Sequence, residues 1–408
     1  MELTIFHNLE SNICNYEVIE RKGRGHPDTL SDALAEAFSH AYSNYTKQKF
    51  GIILHHNFDK VGLLGGKSYV AFGQGYMTSP IRVLLNGRAS IKFGNQEIPV
   101  TDILINTARH FFAERLPKID SIRDLTFINN ISTGSSPGHV EIGNATSGNR
   151  KNWFNPQNLD DIREIKHLAS NDTSVGCGYW PLSPTEKTVL SLEKRLTSPE
   201  FQKEQPWIGT DIKVMACRVN NKLNMTLCIP QIADYVPNMD AYRDNLNTIH
   251  KLLQDWTKEL LPGITVTIHL NTKDNFNIPE LYLTAIGSSI ESGDEGLVGR
   301  GNRVNGIIAM HRPYSMEGAC GKNPVYHVGK LYNIVAIDIA KRLYEYFVSP
   351  VEVWLISQEG RLLNDPWQVI VNCAESLPSS DVNKIIIETM TTLPSITNAI
   401  IAGEIELF

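Results

Sequence analysis

Pairs of short strand patterns alternate with amphipathic helices along the chain, and this alternation restricts the possible folds more than any other feature. The first helix pattern covers residues 30–41, where apolar side chains recur at every third or fourth position. Further helices are predicted at 100–115, 239–261, 325–347 and 381–401. Strand pairs recur beside these helices about three times, which predicts an α+β chain of repeated units.

The strands and turns between the helices are predicted from local patterns. The segments "DIKVMACRV" and "KLNMTLCIPQI" are typical of paired strands. Residues 280–289 are typical of a further strand. Residues 81–93 predict a hairpin that turns at Asn86 and Gly87, because this dipeptide favours tight turns. Residues 133–160 are rich in glycine, serine and asparagine, and they predict a long loop.

The length of the chain indicates several domains, because 408 residues exceed what one simple core holds. We expect a first unit at residues 1–135, a second at 136–262 and a third at 263–408, with segments interleaved between the units. Each unit would carry some of the chemistry-bearing motifs described below.

Charge, hydropathy and cysteine usage exclude several classes of protein. The net charge of −6 argues against nonspecific binding to nucleic acid. No apolar run reaches about 18 residues, so no membrane-spanning helix is expected, and no signal-peptide pattern is visible. The six cysteines are scattered without a CxxC pair, which argues against a zinc site or a disulfide framework. Free thiols and a cytoplasmic location are expected.

Two glycine-rich stretches, residues 293–306 and 318–330, concentrate basic side chains. Glycine lets backbone N–H groups approach an anion, and arginine and lysine bind phosphate oxygens. The combination predicts a phosphate or polyphosphate site, although a solvated turn with incidental charges is the structural alternative. The basic residues of the two stretches are Arg300, Arg303, Arg312, Lys322, His327 and Lys330.

The segment "RGHPDTLSDALAEAF" places His26 and Asp28 at the start of the first helix. A carboxylate in a phosphate site most often binds Mg²⁺, which takes one or two carboxylates together with water and phosphate oxygens. Asp28 is equally well explained as a helix N-cap, and His26 as the donor or acceptor of a structural hydrogen bond at the turn. The local pattern alone does not separate these alternatives.

Other catalytic motifs fit poorly. "GSSPG" matches G-x-S-x-G at residues 134–138, but the polar segment after Ser136 cannot start the helix that a nucleophile elbow requires. "GACGKNP" has the wrong spacing for a P-loop, and no serine or threonine follows its lysine. His55 and His56 could suggest a metal site, but they are neighbours on a predicted strand. Their side chains then point to opposite faces and cannot easily bind one ion together.

Six stretches in order resemble one family. They are "ERKGRGHPDTLSDALAEA", "ILHHNFDKV", "NDTSVGCGYWPLS", "DIKVM", "GDEGLVGRGNRVNG" and "GKNPVYHVGKLYN". Together they resemble the archaeal-type methionine adenosyltransferase (S-adenosylmethionine synthetase) family from about residue 16 to the C-terminus. The resemblance implies that ATP, L-methionine and water give S-adenosylmethionine, phosphate and diphosphate. It also implies three domains related by a pseudo-threefold axis, each a mixed or antiparallel sheet covered by helices.

The resemblance implies a role for each matching residue. His26 would donate a hydrogen bond near the breaking bond of ATP, and Asp28 would bind Mg²⁺. The thioether sulfur needs no general base, so the remaining catalytic groups are cations that would hold the phosphates: Lys213, Arg300 and Lys322, with Lys330 as a further candidate. Substrate contacts are implied for Asp172, Asp294 and the loop residues Gly134, Ser135 and Ser136.

Three departures from the family pattern are visible. The better-known bacterial and eukaryotic branch has a lysine after the arginine of "GRGNR", where this chain has Gly301. The acid that follows "GKDP" in that branch is missing from "VYHVG", which leaves the second metal ligand unassigned. The loop "GSSPGH" at residues 134–139 also differs from the archaeal-type pattern.

Cofactors and partners follow from the same resemblance. Two Mg²⁺ ions per site are expected, and K⁺ is a further candidate. The partners would be ATP, L-methionine and a second copy of the chain in a homodimer with shared active sites, and neither nucleic acid nor membrane. The altered loop motivates a first alternative, a non-catalytic ATP-binding homologue that acts as a regulatory partner. A second alternative is a related enzyme that uses a different thioether or nucleoside triphosphate.

Overall fold

The computed structural model describes residues 1–9, 15–134, 152–162, 165 and 167–408. Its helices are α1 (Pro27–Phe50), α2 (Val100–Arg115), α3 (Pro184–Leu196), α4 (Pro199–Glu204), α5 (Met239–Leu260), α6 (Val328–Phe347), α7 (Ser379–Met390) and α8 (Leu393–Ile401). Its strands are β1 (Glu2–Phe6), β2 (Tyr16–Lys22), β3 (His56–Asn57), β4 (Gly62–Leu64), β5 (Lys67–Ala71), β6 (Gln74–Ser79), β7 (Ile81–Ala89), β8 (Lys92–Phe93), β9 (Gln96–Glu97), β10 (Leu125–Ser132), β11 (Val175–Trp180), β12 (Lys213–Val219), β13 (Lys222–Cys228), β14 (Gln231–Ile232), β15 (Thr265–Leu270), β16 (Leu283–Thr284), β17 (Glu295–Leu297), β18 (Ile308–Ala309), β19 (Val351–Ile356) and β20 (Gln368–Cys373).

Three larger sheets share one plan. Their strand orders are β1-β20-β19-β11, then β10-β7-β4-β17 with β3 also paired to β7, and β15-β13-β12-β2-β18. Each has one parallel pair at an edge, and its other described pairs are antiparallel. Two helices lie beside each sheet. These are α6 and α7 for the first sheet, α1 and α2 for the second, and α3 and α5 for the third. This confirms the α+β fold with mixed and antiparallel sheets, and the repeated plan is what three related units would give.

Each sheet joins strands that are far apart in the sequence. In the first, β1 pairs in parallel with β20, so Glu2 lies opposite Gln368. In the third, β2 lies between β12 and β18. The ranges 1–135, 136–262 and 263–408 therefore each contribute strands to more than one sheet, and as domain boundaries they stay a prediction.

Apolar helix faces build two cores. The larger core lies around α1, α2 and α6, and fully buried Leu34, Phe38 and Tyr42 belong to it. The smaller core lies between α3, α5 and the third sheet and includes Leu192 and Ile249. Burying one such side chain stabilises the fold by about 1.5–3 kcal/mol. The cores thereby hold rigid the helix starts that carry the candidate site residues.

Three local expectations were wrong. Asn86 and Gly87 do not turn a hairpin, because β7 runs straight through them and pairs along its length with β10. Only Leu283–Thr284 of residues 280–289 form a strand. The helix predicted at 381–401 is interrupted between Met390 and Leu393, and Pro394 lies in the first turn of the second helix. Proline fits a first turn because its missing N–H has no helical partner there.

The helices described by the structure include none that is both long enough and apolar enough to cross a membrane.

Candidate active site

The first turn of α1 holds His26 in one orientation. His26 is the N-cap of the helix, and its Nδ1 accepts a hydrogen bond from the backbone N–H of Asp28 at 3.2 Å. The acceptor at Nδ1 places the ring proton of the neutral imidazole on Nε2, which is therefore a donor. Burial lowers the pKa of His26, although Asp211 and Asp28 lie close enough to oppose that shift. The structural role predicted for His26 is thus present, and it leaves Nε2 available.

A close approach of two chain segments shapes this helix start. Gly23 and Gly25 lie against residues 210–212, and a Cβ on either glycine would fall 2.2 Å from an oxygen of Ile212 or Thr210. Side chains larger than hydrogen at both glycines would push the segments apart. The glycines of the segment therefore bring His26 next to the strand that begins at Lys213.

His26 lines a cavity of about 700 Å³ together with Lys213 and Asp294. The Lys213 ammonium lies 3.2 Å from a carboxylate oxygen of Glu20 and remains partly exposed. Asp294 is exposed, and one of its carboxylate oxygens lies 3.0 Å from the Ser289 hydroxyl oxygen. Three residues predicted from separate motifs therefore meet at one cavity that offers a neutral donor, a cation and a carboxylate.

Asp211 and Tyr282 also line this cavity, and the sequence motifs did not single them out. Asp211 is buried and accepts hydrogen bonds from the Tyr282 hydroxyl and from the hydroxyl and backbone N–H of Ser289. Its position two residues before Lys213 in "DIKVM" was the available signal. Tyr282 gave none, because it lies outside the quoted motifs, in a segment that was predicted only as a strand.

Asp28 lies beside the cavity and is connected to Arg300. One of its carboxylate oxygens accepts from the Lys22 ammonium at 2.8 Å, and the other accepts from the backbone N–H of Leu297 at 3.1 Å. The same ammonium donates to the backbone carbonyl of Arg300 at 2.6 Å, and the Arg300 side chain is exposed. The N-cap alternative for Asp28 is wrong, since the cap of α1 is His26.

A second group of predicted residues lies outside this cavity, around the start of α6. The buried Lys322 ammonium forms an ion pair at 2.5 Å with Glu317, whose side chain is partly exposed. Partial desolvation and the Glu317 charge raise the pKa of Asp172, while Lys322 opposes this shift, so the three charges influence one another. Asp172 itself is exposed. This group offers a cation and a carboxylate at a second place on the same chain.

Lys330 and the predicted loop residues are placed differently. Lys330 is fully buried, and its ammonium lies 2.7 and 2.8 Å from the two carboxylate oxygens of Glu36. A triphosphate would have to replace Glu36 to reach it, so this contact stays a prediction. Gly134 is exposed at the end of the described segment, whereas Ser135 and Ser136 lie outside the described residues.

The chain is similar to known proteins over nearly its whole length, well beyond the six motifs. The family described as S-adenosylmethionine synthetase (AdoMet synthetase) matches residues 3–404. The S-adenosylmethionine synthase of Methanocaldococcus jannaschii is 39% identical over 360 residues, which cover 86% of this chain and 84% of that protein. That of Pyrococcus furiosus is 37% identical over 403 residues, which cover 96% and 95%.

A solved structure shares the fold at low sequence identity. It is described as an unusual S-adenosylmethionine synthetase from Campylobacter jejuni, and it matches with a TM-score of 0.60 at 14% identity. The match covers 94% of this chain and 88% of that one. The family match, the two relatives and the shared fold all extend over most of the chain. The chain therefore belongs to the S-adenosylmethionine synthetase family.

Proposed function

We propose that the chain is an active methionine adenosyltransferase, which converts ATP, L-methionine and water to S-adenosylmethionine, phosphate and diphosphate. The family match over residues 3–404 carries this proposal. The comparisons offer no support for the alternative of a non-catalytic ATP-binding homologue. The reaction consumes ATP, which is consistent with a cytoplasmic location.

The chemistry asks for positioning and charge neutralisation rather than for a base. The thioether sulfur of methionine is neutral and attacks C5′ of ATP in line, while the triphosphate leaves with its negative charge. A neutral His26 suits this step, because its Nε2–H can donate to an oxygen near the breaking bond without removing a proton from the nucleophile. Lys213, Arg300 and Lys322 would neutralise the phosphates, and Asp172 and Asp294 would contact methionine or the nucleoside.

A divalent metal ion would neutralise the phosphates together with the lysine and arginine side chains. The family is one of metal-dependent enzymes. Among the described residues, no three His, Cys, Asp or Glu side chains are grouped so as to hold a metal ion. Mg²⁺ fits this arrangement because it takes few carboxylates and completes its shell with water and phosphate oxygens. When bound, Mg²⁺ would neutralise triphosphate charge, and K⁺ would be an additional cofactor.

Asp28 is the proposed ligand for one of two Mg²⁺ ions. Each of its carboxylate oxygens accepts one hydrogen bond, from Lys22 or from Leu297, so each keeps a free lone pair. The carboxylate is therefore a hard oxygen donor that can still bind a cation.

Asp28→Asn is expected to raise the Mg²⁺ concentration for half-maximal activity at least tenfold, because the amide keeps the acceptor shape and loses the charge. Turnover measured across Mg²⁺ concentrations gives this value, and calorimetry of Mg²⁺ binding with a non-hydrolysable ATP analogue checks it independently. Asp338→Asn is the control, since Asp338 forms a partly exposed ion pair with Arg342 on the same helix. Normal Mg²⁺ dependence with a lowered melting temperature would give Asp28 a purely structural role.

The activity itself is tested by incubating the protein with ATP, methionine and Mg²⁺, with and without K⁺. Formation of S-adenosylmethionine together with phosphate and diphosphate is the expected result. Nucleotide binding without any product under all these conditions would instead support the non-catalytic alternative. A panel of other thioethers and nucleoside triphosphates would then define the substrate range.

We further propose a homodimer whose active sites are shared. All three sheets expose large apolar side chains that a partner would cover: Phe6 in the first, Ile128 and Leu297 in the second, and Tyr16 and Val219 in the third. A shared site would also explain why the group at Lys322 lies apart from the cavity at His26. The group of one copy would then complete the cavity of the other.

Complementation tests the shared site. His26→Asn and Lys322→Met should each lose most of the activity alone, and an equal mixture after dissociation and reassociation should regain about a quarter of the wild-type activity. In the mixed dimer, one site has both mutations and the other has neither. No recovery by a mixture that light scattering shows to be dimeric would place both residues in the same site of one chain.

A further inference from the structure

Arg300 lies on a loop whose backbone is entirely hydrogen-bonded. Asp32, on α1, accepts from the backbone N–H of Gly299 at 2.7 Å and from that of Gly301 at 3.1 Å. The two carboxylate oxygens therefore bind the glycines on either side of Arg300. Asp32 is 3% exposed, so water does not compete for these bonds.

The carbonyl groups of the same loop bind cations. One guanidinium nitrogen of Arg303 donates to the carbonyls of Gly299 and Gly301, both at 2.8 Å. The Lys22 ammonium donates to the Arg300 carbonyl at 2.6 Å, and the Arg300 N–H donates to the carbonyl of Leu297. All six backbone polar groups of residues 299–301 thus have partners, while the Arg300 side chain points outward and is exposed.

The glycine after Arg300 is required by this arrangement. A Cβ on Gly301 would lie 2.2 Å from a carboxylate oxygen of Asp32. A side chain at this position and the observed Asp32 contact exclude each other. Gly301 is also where this chain departs from the branch that carries a lysine after the arginine. A lysine here would prevent the contact between Asp32 and the backbone of the loop.

One helix connects this loop to the rest of the site. Asp32 follows Asp28 by four residues, so both carboxylates lie on the same face of α1. His26 caps the same helix. The first two turns of α1 therefore present His26 to the cavity and hold the backbone of the Arg300 loop.

We propose that Asp32 is a positioning residue for Arg300: its carboxylate clamps the flanking glycine N–H groups and so holds the guanidinium where the triphosphate leaves. This inference rests on the proposed function, because Arg300 acquires its task from that reaction. Asp32 does not touch substrate itself. Its effect on the reaction must therefore pass through Arg300.

The ionisation of Asp32 determines the assay conditions. Burial raises the pKa of Asp32 to about 7, against the opposing influence of the glycine N–H groups and Arg303, while the Asp28 charge adds to the rise. The buried Cys320 thiol also faces Asp32. Assays at pH 8 or above keep the wild-type carboxylate ionised, so that the comparison is between a charged acceptor and a neutral amide.

The test is a double-mutant cycle between Asp32→Asn and Arg300→Met. Asp32→Asn should lower kcat at least tenfold with a smaller change in KM for ATP, because the positioned charge acts on the leaving triphosphate. In the Arg300→Met background the same substitution should change kcat less than twofold. Equal losses in both backgrounds, or no loss in the wild-type background, would overturn the proposal.

Two further variants keep the test decisive if Asp32→Asn does not fold. Gly301→Ala displaces the Asp32 carboxylate by steric conflict, and Arg303→Gln removes the contacts to the carbonyls of Gly299 and Gly301. Each variant should therefore lower kcat in the wild-type background and much less in the Arg300→Met background. Asp124→Asn is the matched control, since Asp124 is equally buried and also accepts a backbone N–H, from Asp120. It should lower stability while leaving kcat unchanged. A wild-type protein without product would refute the proposed function, not the clamp.

Discussion

Lys330→Met is expected to lower the free energy of unfolding by about 3–5 kcal/mol at neutral pH, because it leaves the Glu36 carboxylate buried without its cation. Lys330 is fully buried, and both carboxylate oxygens of Glu36 lie within 2.8 Å of its ammonium. Glu36 also accepts the backbone N–H of Gly321 at 2.9 Å. The pair therefore joins α1 to α6 and to the segment that carries Lys322.

Urea unfolding of wild type and variant measures this loss. Lys341→Met is the matched control, because Lys341 lies on the same helix, forms an exposed pair with Glu345 and contacts the Trp180 ring at 5.7 Å. Its removal should cost about 1 kcal/mol. Adding Glu36→Gln to Lys330→Met should recover part of the loss by removing the unpaired charge. Equal stabilities of the Lys330 and Lys341 variants would contradict the expected energetic role of the buried pair.

The same pair gives a pH dependence with a definite sign. Burial alone would raise the pKa of Glu36, but the Lys330 charge, together with the His40 ring 3.2 Å from Glu36, outweighs it and lowers the pKa from 4.5 to about 2. A carboxyl group whose pKa is lower in the folded state stabilises the protein above its unfolded value. The contribution is therefore present above pH 4.5 and is lost as the pH falls towards 2. Across this interval the difference in stability between wild type and Lys330→Met should shrink.

His26→Asn is expected to slow the alkyl transfer by more than tenfold, which corresponds to about 1.4 kcal/mol or more of transition-state stabilisation. Asparagine is a good N-cap, so its side-chain oxygen can replace Nδ1 as the acceptor for the Asp28 N–H. It cannot reproduce the Nε2–H donor on the far side of the ring. The substitution therefore separates the two roles of this residue.

Single-turnover formation of S-adenosylmethionine measures the chemical step without product release. The melting temperature of His26→Asn should stay close to that of the wild type, whereas His26→Ala should lose both the cap and the donor. An N-cap deletion of this kind costs about 1 kcal/mol. An unchanged single-turnover rate in His26→Asn would remove His26 from the chemistry and leave it only the cap.

Local patterns predicted much of the fold, since they depend on neighbours along the chain. The helices at 100–115, 239–261 and 325–347 are present with shifts of at most a few residues. The paired strands of "DIKVMACRV" and "KLNMTLCIPQI" are also confirmed. The hairpin at Asn86 and Gly87 failed because pairing with a distant strand outweighed a local turn preference.

The site could be predicted only as separate motifs. His26, Lys213 and Asp294 were each identified from residues beside them, and their meeting at one cavity depends on strand pairings that span the chain. Asp32 showed no signal, because an acid inside an amphipathic helix usually faces solvent. Its partners Gly299 and Gly301 lie 267 and 269 residues away.

The sequence by itself determined the family, the position of most helices and the chemical types of residue available to the site. These follow from short-range periodicity and from motifs that survive without a structure. Only the tertiary structure decided that His26 rather than Asp28 caps α1, that Lys330 is neutralised by Glu36, and that Asp32 holds the Arg300 loop. The physical reason is that a buried charge or polar group takes its role from the partner that folding brings to it, and such partners are seldom neighbours in sequence.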